Sequence, residues 1–540
     1  MAAEVKAETI GRAAYRDRQV AVPVRPAVRR GVRLRQAGDA VVLDGSDKRQ
    51  VFTGGFARES LRRLVDACDG TATHAQLAAA TGLDETVVYK SLALLWASGV
   101  VEEGVPAGEQ PSTAPEFACF LSRLGNSTGA NPSWTQGARR LRDATVRLAG
   151  YRPLVEAAER CLTGVCTVST DAVTDAVADA AADADLVVVF ETPQSSPTEL
   201  AALHERCRRD RRPLLRVRAD TSSMVVGPYV DPEFTPCLRC STAGEDDLAG
   251  DPPQSSYELI AGLVAHHVIA LTARSTMTHL PLDAAVVDLA TLATRYRASA
   301  SRPGCPDCSF SAGPTAPVPP SGALYEAAVA IPPRRFLDPK GHLAHYQSSN
   351  IKLQSEFRDW PSCPRVPLPA ADVSRLAGAP AADRAALRGP DAALLLAVAF
   401  GIREQTADGW VKRWTAAAGN IGSAGAYLLC RDASVLPVGG YAYVEQDHAL
   451  AQLTADVPPG DRPLTLVVTA NLKKVVRKYG TFGLKLALLD AGVALSAARE
   501  VATHLALDFS LVTDWDDERL SGLLGISPDQ EPVAAVMELG

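Results

Sequence analysis

Apolar and polar side chains alternate along residues 32–53, VRLRQAGDAVVLDGSDKRQVFT, with breaks at Gly38-Asp39 and Gly45-Ser46. A period of two between turn residues predicts a three-strand meander. The period then lengthens. Residues 58–67, 73–80 and 85–98 read as three helices. Thr73 caps the second and Gly82 stops it, while the third carries Val88, Leu92, Leu95 and Trp96 at helical spacing. Residues 104–115, rich in proline and glycine, predict a linker. From about 117 to 325, short apolar runs at 165–169, 186–190 and 214–217 alternate with alanine-rich helical stretches. That alternation predicts a doubly wound α/β sheet. The run PTAPVPPS at 314–321 predicts a second linker, and residues 1–27 read as a loose tail. Residues 326–540 contain a long helix, about 484–506, with few charges on any face, buried either in a core or in a subunit interface.

Composition narrows the class. A chain of 540 residues has room for about three domains. With 47% hydrophobic and 22% charged residues it is expected to fold, and a net charge of −7 argues against broad binding of nucleic acid or an anionic membrane. The first twenty residues carry charges throughout, unlike a secretory signal, and the longest apolar run, residues 392–402, is short of the roughly 20 residues that span a bilayer. Eleven cysteines, four of them in close pairs, predict a reduced, cytoplasmic protein with metal-binding thiolates rather than a disulfide framework.

Those pairs are Cys237/Cys240 and Cys305/Cys308. Each Cys-x-x-Cys places two thiolates on one turn, and two such turns complete a tetrahedron that suits Zn²⁺. Four filled positions leave none for water, so the expected role is structural. Four unrelated core cysteines, or an iron–sulfur cluster, are the alternatives. Arg239, between the first pair, is the expected cation beside the centre. The candidate nucleotide loop, residues 162–171, reads LTGVCTVSTD, with one glycine and no G-x-G-x-x-G, and no Walker-type G-x-x-x-x-G-K-[ST] occurs in the chain. ATP chemistry is therefore not expected, which disfavours an adenylating enzyme.

The segment GPYVDPEFTPCLRC at 227–240 resembles the leader-binding partner proteins of thiazole/oxazole-modified peptide pathways, which are built like ubiquitin-activating enzymes (ThiF-like). Proteins of that family carry an N-terminal winged-helix element that binds the leader of a ribosomally made precursor. Transferred here, the resemblance implies a recognition element at 28–104 and a zinc-bearing α/β scaffold at 117–325. It further implies that the leader adds as a strand along Lys48, Arg49, Gln50, Val51 and Phe52 and rests on Val87, Lys90, Ser91 and Leu94. A DNA-binding winged helix is the competing reading, against which the helix at 85–98 offers only Lys90 as a cation.

A second resemblance covers residues 326–540. The runs RWTAAAGNIGSAGAYLLC (413–430), LPVGGYAYVEQDHAL (436–450), VVRKYG (475–480) and LKLALLDAG (484–492) are similar to SagB-type, nitroreductase-like azoline dehydrogenases. GHLAHYQSSN at 341–350 matches the start of that domain more weakly. The resemblance implies FMN as cofactor, Lys478 and Tyr479 as the catalytic pair, and Arg413, Ala417, Ala418 and Gly419 as flavin contacts. An ammonium beside a phenol is expected to stabilise phenolate as the base. The chain departs from the family twice. Ala416-Ala417-Ala418-Gly419 stands where Pro-Ser-Ala-Gly is usual, and residues 374–389 keep only scattered arginines in place of an arginine-rich opening.

Together these imply an α/β and α+β multidomain protein: a leader-binding element, a four-cysteine zinc scaffold and an FMN-dependent azoline dehydrogenase. Its implied partners are a precursor peptide, a separate YcaO-type, ATP-driven cyclodehydratase and a second copy of itself. A non-catalytic adaptor with a degenerate dehydrogenase domain is the other reading.

Overall fold

A computed structural model describes residues 4–45, 50–124, 128–170, 184–276, 278–281, 283–336, 340, 346–406 and 410–540. The chain packs as two units, residues 6–343 and residues 344–540, the latter taking in residues 1–5. The division falls after the expected boundary at 325/326. Residues beyond 326 belong to the first unit because Arg335 pairs with Asp231 at 2.6 Å and Phe336 packs against Tyr229 and Phe234.

In the first unit the meander forms as strands Arg33–Ala37, Ala40–Asp44 and Gln50–Phe52, antiparallel and in that order. The helices follow. Thr73 caps His74–Thr81 in a capping box with Gln76, and Gly82 ends it at φ 67°. Asp84 caps Glu85–Ala97, whose Val88, Leu92, Leu95 and Trp96 are buried. The expected helix at 58–67 is instead two short helices, Gly55–Glu59 and Leu61–Asp66. The expected loose tail is also corrected. Residues Ala7–Ala14 form a helix with Ile10 fully buried, and Pro26–Val28 pairs as a strand with Val101–Glu103.

That last strand joins the meander module to the α/β layer. Glu102, 3% exposed, accepts from Ser122 Oγ and from the Trp134 amide and pairs with Arg29 at 3.3 Å. Burial raises its pKa above the ordinary carboxylate range, partly offset by Arg29.

The α/β layer has a seven-stranded sheet. In spatial order its strands are Thr294–Ala298, Asp283–Asp288, Ser223–Val230, Leu214–Ala219, Leu186–Glu191, Thr145–Gly150 and Thr167–Thr170. The last four run parallel and the first three are added antiparallel. The strand at 145–150, not anticipated from sequence, opens the parallel set, so the first strand-to-helix turn is Gly150-Tyr151-Arg152 rather than the stretch at 162–171. Gly150 has φ 103°, and a Cβ there would strike the Phe190 carbonyl. This turn carries one glycine as well.

The second unit is built on a seven-stranded antiparallel sheet. Its order is Arg365–Pro367, Ala449–Thr454, Gly439–Val444, Ala424–Cys430, Leu464–Ala470, Val533–Leu539 and Phe509–Val512. Helices Gly389–Phe400 and Gly483–His504 pack together and contribute to the same apolar core as the sheet. The long helix buries Ala487, Ala491, Ala494, Ala498 and Ala502, while Leu488, Leu489 and Val493 remain exposed.

Residues 254–273 and 472–504 are long and apolar enough, by length and composition alone, to cross a membrane. The helix Tyr257–Ala273 packs its apolar side on Arg152–Leu162 within the core of its unit. The second stretch is divided at Gly480, φ 55°, into Leu472–Tyr479 and Gly483–His504.

Candidate functional site

Two sites emerge, one in each unit. In the first unit the strand Ser223–Val230 leads into the short helix Leu238–Ser241, whose N-cap is Cys237. The second pair sits on a turn in which Ser309 N–H donates to the Cys305 carbonyl at 3.0 Å. Gly304, φ 74°, makes the approach possible, because a Cβ there would meet the Pro314 carbonyl. All four sulfurs lie within 4.8 Å of one another, with Cys237–Cys305 at 3.7 Å and Cys240–Cys308 at 3.6 Å. A tetrahedral Zn–thiolate₄ centre with ~2.3 Å bonds has sulfur–sulfur edges of about 3.8 Å. The four cysteines are thus positioned to hold a metal ion. The neighbouring cation is not the expected one. Arg239 turns outward to Asp307 at 3.8 Å, whereas Arg302 gives its backbone N–H to Cys240 Sγ at 3.3 Å, and the thiolates raise its guanidinium pKa.

In the second unit the segment 413–426 folds back on the helix Leu472–Tyr479. Gly419, φ 56°, turns its bare α-carbon toward the expected pair: a Cβ there would lie 2.5 Å from Lys478 Nζ and 2.6 Å from Tyr479 Oη. Lys478, Tyr479 and Gly419 therefore converge, although nearly sixty residues separate the glycine from the pair. Their electrostatics run opposite to expectation. Burial pushes the Lys478 ammonium below the ordinary lysine range, and burial, followed by the nearby Asp490 carboxylate, pushes the Tyr479 phenol up. Lys478, not Tyr479, is the group moved toward a base.

Asp490 organises this turn. Its carboxylate accepts from the Ala418 amide at 2.8 Å and from Ser423 Oγ at 2.5 Å. Burial raises its pKa, with those hydrogen bonds opposing. Ala417 and Ala418 lie on the turn that Asp490 clamps. Arg413 is 4% exposed in its side chain and is occupied by the Glu445 carboxylate and, at 3.4 Å, by the Gln354 and Ile421 carbonyls. Gly422 lies flat against its guanidinium. The expectation of Arg413 as a phosphate contact thus meets a side chain already paired inside the unit.

A small cleft opens three residues further on, with an interior of about 50 Å³. Gly422, Ser423, Ala424, Gly425 and Ala426 line one wall; Trp360, Phe400, Tyr427 and Tyr443 supply aromatic surface; Arg358, Glu445, Asn471, Lys474 and Glu531 supply polar groups. Burial lowers Lys474 to about 8, and its Nζ donates to the Ile421 carbonyl at 2.8 Å. Arg358 donates to Tyr427 Oη at 2.6 Å and pairs with Glu531.

The comparisons with known proteins come up short of a family. No family model and no curated protein matches the chain. Among solved structures, the heterocyclase TruD aligns over 53% of this chain and 43% of its own, at 18% identity and a TM-score of 0.41. MccB of E. coli aligns over 53% of this chain and 97% of its own, at 14% identity and a TM-score of 0.43. This chain therefore spans less than half the length of the heterocyclase. Likeness at this level fixes neither fold nor chemistry.

Two groups of residues escaped the sequence. The cleft wall includes the run Gly422-Ser423-Ala424-Gly425, a serine–alanine–glycine six residues after Ala417-Ala418-Gly419 and visible in the sequence. Lys474 and Asn471 carry no local motif, and only the fold brings them to the cleft.

The leader-binding residues are partly rearranged. Lys48 and Arg49 lie outside the described residues. Gln50–Phe52 is an outer strand with Ala40–Asp44 as its one neighbour among the described residues, Val51 is 57% exposed, and Gln50 Nε2 reaches the Ser98 carbonyl at 2.5 Å. Val87 is exposed and Leu94 half-buried. Ser91, expected on the binding face, is buried because it sits on the inner side of the helix with Val88 and Leu95. Lys90 is held by Glu8 at 2.8 Å.

Proposed function

We propose that the chain captures the leader of a ribosomally made precursor peptide and oxidises azolines in that peptide to thiazoles or oxazoles with bound FMN. A separate ATP-dependent cyclodehydratase would form the azolines. The observation that carries the catalytic half is the convergence of Lys478, Tyr479 and Gly419, with Gly419 three residues before the run Gly422–Gly425 that lines a cleft. Lys474, lowered to about 8 by burial, lines that cleft, and a strongly shifted group at a cleft is a mark of chemistry. The outer edge of Gln50–Phe52, which has no strand partner among the described residues, carries the binding half, since such an edge offers main-chain hydrogen bonds to an extended peptide.

The donor set suits a flavin mononucleotide. The aromatic walls and the side-chain-poor run at 422–425 would flank a planar ring, and Arg358 and Lys474 would face the phosphate, while the cleft interior, about 50 Å³, must widen to admit it. When bound, FMN supplies the acceptor for a hydride from the ring being aromatised. The chain's own part is the proton. Lys478 Nζ, shifted toward its neutral form, takes the proton from the neighbouring ring carbon, while Tyr479 Oη, held as the phenol, orients it. Asp490 fixes the 418–423 turn so that both groups keep their places.

The adaptor reading is favoured by one observation: Arg413 and Arg358 are each matched by a carboxylate, Glu445 and Glu531, leaving less charge for a phosphate. Absorbance decides between the two. Purified chain incubated with FMN and passed through a desalting column is expected to retain flavin near one per chain and to protect the amides of Gln50–Phe52 from hydrogen exchange when a leader peptide is added. A colourless chain that still protects those amides supports the adaptor; no protection overturns leader capture.

A further inference from the structure

The helix Ala7–Ala14 lies on the helix Glu85–Ala97, where a peptide would rest. Four contacts define the fit. Glu8 pairs with Lys90 at 2.8 Å. Gly11 lies against the Lys90 stem, so closely that a Cβ there would collide with it. Ile10 is fully buried. Tyr15 stacks on Tyr89 with ring centroids 4.5 Å apart, itself edge-on to His74.

The helix is short. Eight residues cannot hold a helix in water alone, so its shape depends on the surface beneath it. Its polar and aromatic links to that surface are partly exposed, an ion pair and a ring stack whose outer ring, Tyr15, is 63% exposed, beside the buried Ile10 and the close-packed Gly11. Salt-screened pairs of this kind hold weakly. The surface beneath is built differently. Val88, Leu92, Leu95 and Trp96 lock the helix Glu85–Ala97 into the module from its other side, so it stays formed when its outer face is bared.

We propose that residues 7–14 are a displaceable, built-in occupant of the peptide-binding face of Glu85–Ala97. They would leave when a peptide of matching chemistry arrives: a carboxylate for Lys90, an aliphatic residue two positions on for the Ile10 site, a glycine next to it and an aromatic ring for Tyr89. The inference rests on the leader-capture reading for the identity of the incoming peptide, but not for the displacement itself. Val51, exposed on the strand joined through Gln50 to Ser98 at the end of the same helix, stays available while the helix face is covered. Capture would then begin on the strand and complete on the helix.

The test uses a fluorescent synthetic peptide of residues 4–20 as probe and the full chain as receptor. Ile10→Asp in the full chain is expected to undock its own helix, and the probe should bind this variant at least about tenfold tighter than it binds the unaltered chain. A probe carrying Glu8→Lys should lose that binding and regain it on a chain carrying both Ile10→Asp and Lys90→Glu. Glu8→Lys in the full chain serves as a second undocked receptor should Ile10→Asp fail to fold. Equal affinity for altered and unaltered chains, or no charge-swap rescue, overturns the proposal. An unlabelled leader peptide that displaces the probe supports both the proposal and leader capture. A leader that binds without displacing the probe overturns the proposal and leaves capture standing. If the leader binds no receptor while the probe docks with rescue, leader capture fails and the displaceable helix stands.

Discussion

With a metal ion held by the four cysteines, as their geometry allows, its removal is expected to unfold the unit of residues 6–343, not merely to slow turnover. Cys237, Cys240 and Cys305 are buried, and their knuckles tie the end of a sheet strand to a loop more than sixty residues later. A structural zinc contributes about 10–16 kcal/mol of binding energy, as large as the ~5–15 kcal/mol that holds a typical domain together. Without it, four thiols crowd one another, because among the described residues the apolar cluster at this place consists of the cysteines alone. A strong chelator, or Cys305→Ser, should therefore abolish the cooperative thermal transition of this unit and its far-UV circular dichroism signal. Cys68→Ala removes a buried thiol outside the cluster and should cost far less. A chain shown by elemental analysis to be metal-free, yet melting where the loaded chain melts, would refute the structural role.

Lys478→Met is expected to lower the rate of azole formation about 10²–10⁴-fold, the usual contribution of a positioned general base. Leader binding should not change, because the residue lies in the other unit. The pH profile assigns the role. Burial lowers the Lys478 pKa in the folded chain, so the amine becomes available as pH rises through a value below the ordinary 10.5. Activity should climb along that limb and level off above it. Tyr479→Phe keeps a ring in place and should lower the rate while leaving the limb where it is. A limb that moves with Tyr479→Phe and survives Lys478→Met would return the phenol to the role of base.

What the sequence made legible follows from how local each signal is. The meander and the caps at Thr73 and Gly82 were readable because turn chemistry and period act over a few residues. The cysteine cluster was readable because a pair of matched spacings has few other uses. The strand at 145–150 was missed because its sequence, TVRLAG, places an arginine inside a short apolar run, and Arg147 is buried only through the surrounding tertiary structure. The helix at 7–14 was missed for the opposite reason. Arg12 faces water, Glu8 finds its partner in Lys90 more than eighty residues away, and nothing in so short a stretch announces the surface that Ile10 covers.

The candidate site of the second unit divides in the same way. Lys478-Tyr479 was found as a dipeptide, but the direction of its pKa shifts depends on burial, which no spacing encodes. Arg413 was found as a cation, and Glu445, thirty-two residues on, is what takes it away from a phosphate. The run Ser423-Ala424-Gly425, at the start of the strand Ala424–Cys430, is present in plain letters, but a second alanine–glycine run six residues earlier resembles it, and only the fold shows which one lines the cleft.

The most direct measurement joins both halves. An azoline-bearing precursor peptide, with and without its leader, is incubated with the FMN-loaded chain and its mass followed. Loss of two hydrogen atoms per ring, dependent on the leader and on Lys478, is the predicted result. A flavin-loaded chain that binds the leader and leaves the peptide mass unchanged would contradict it.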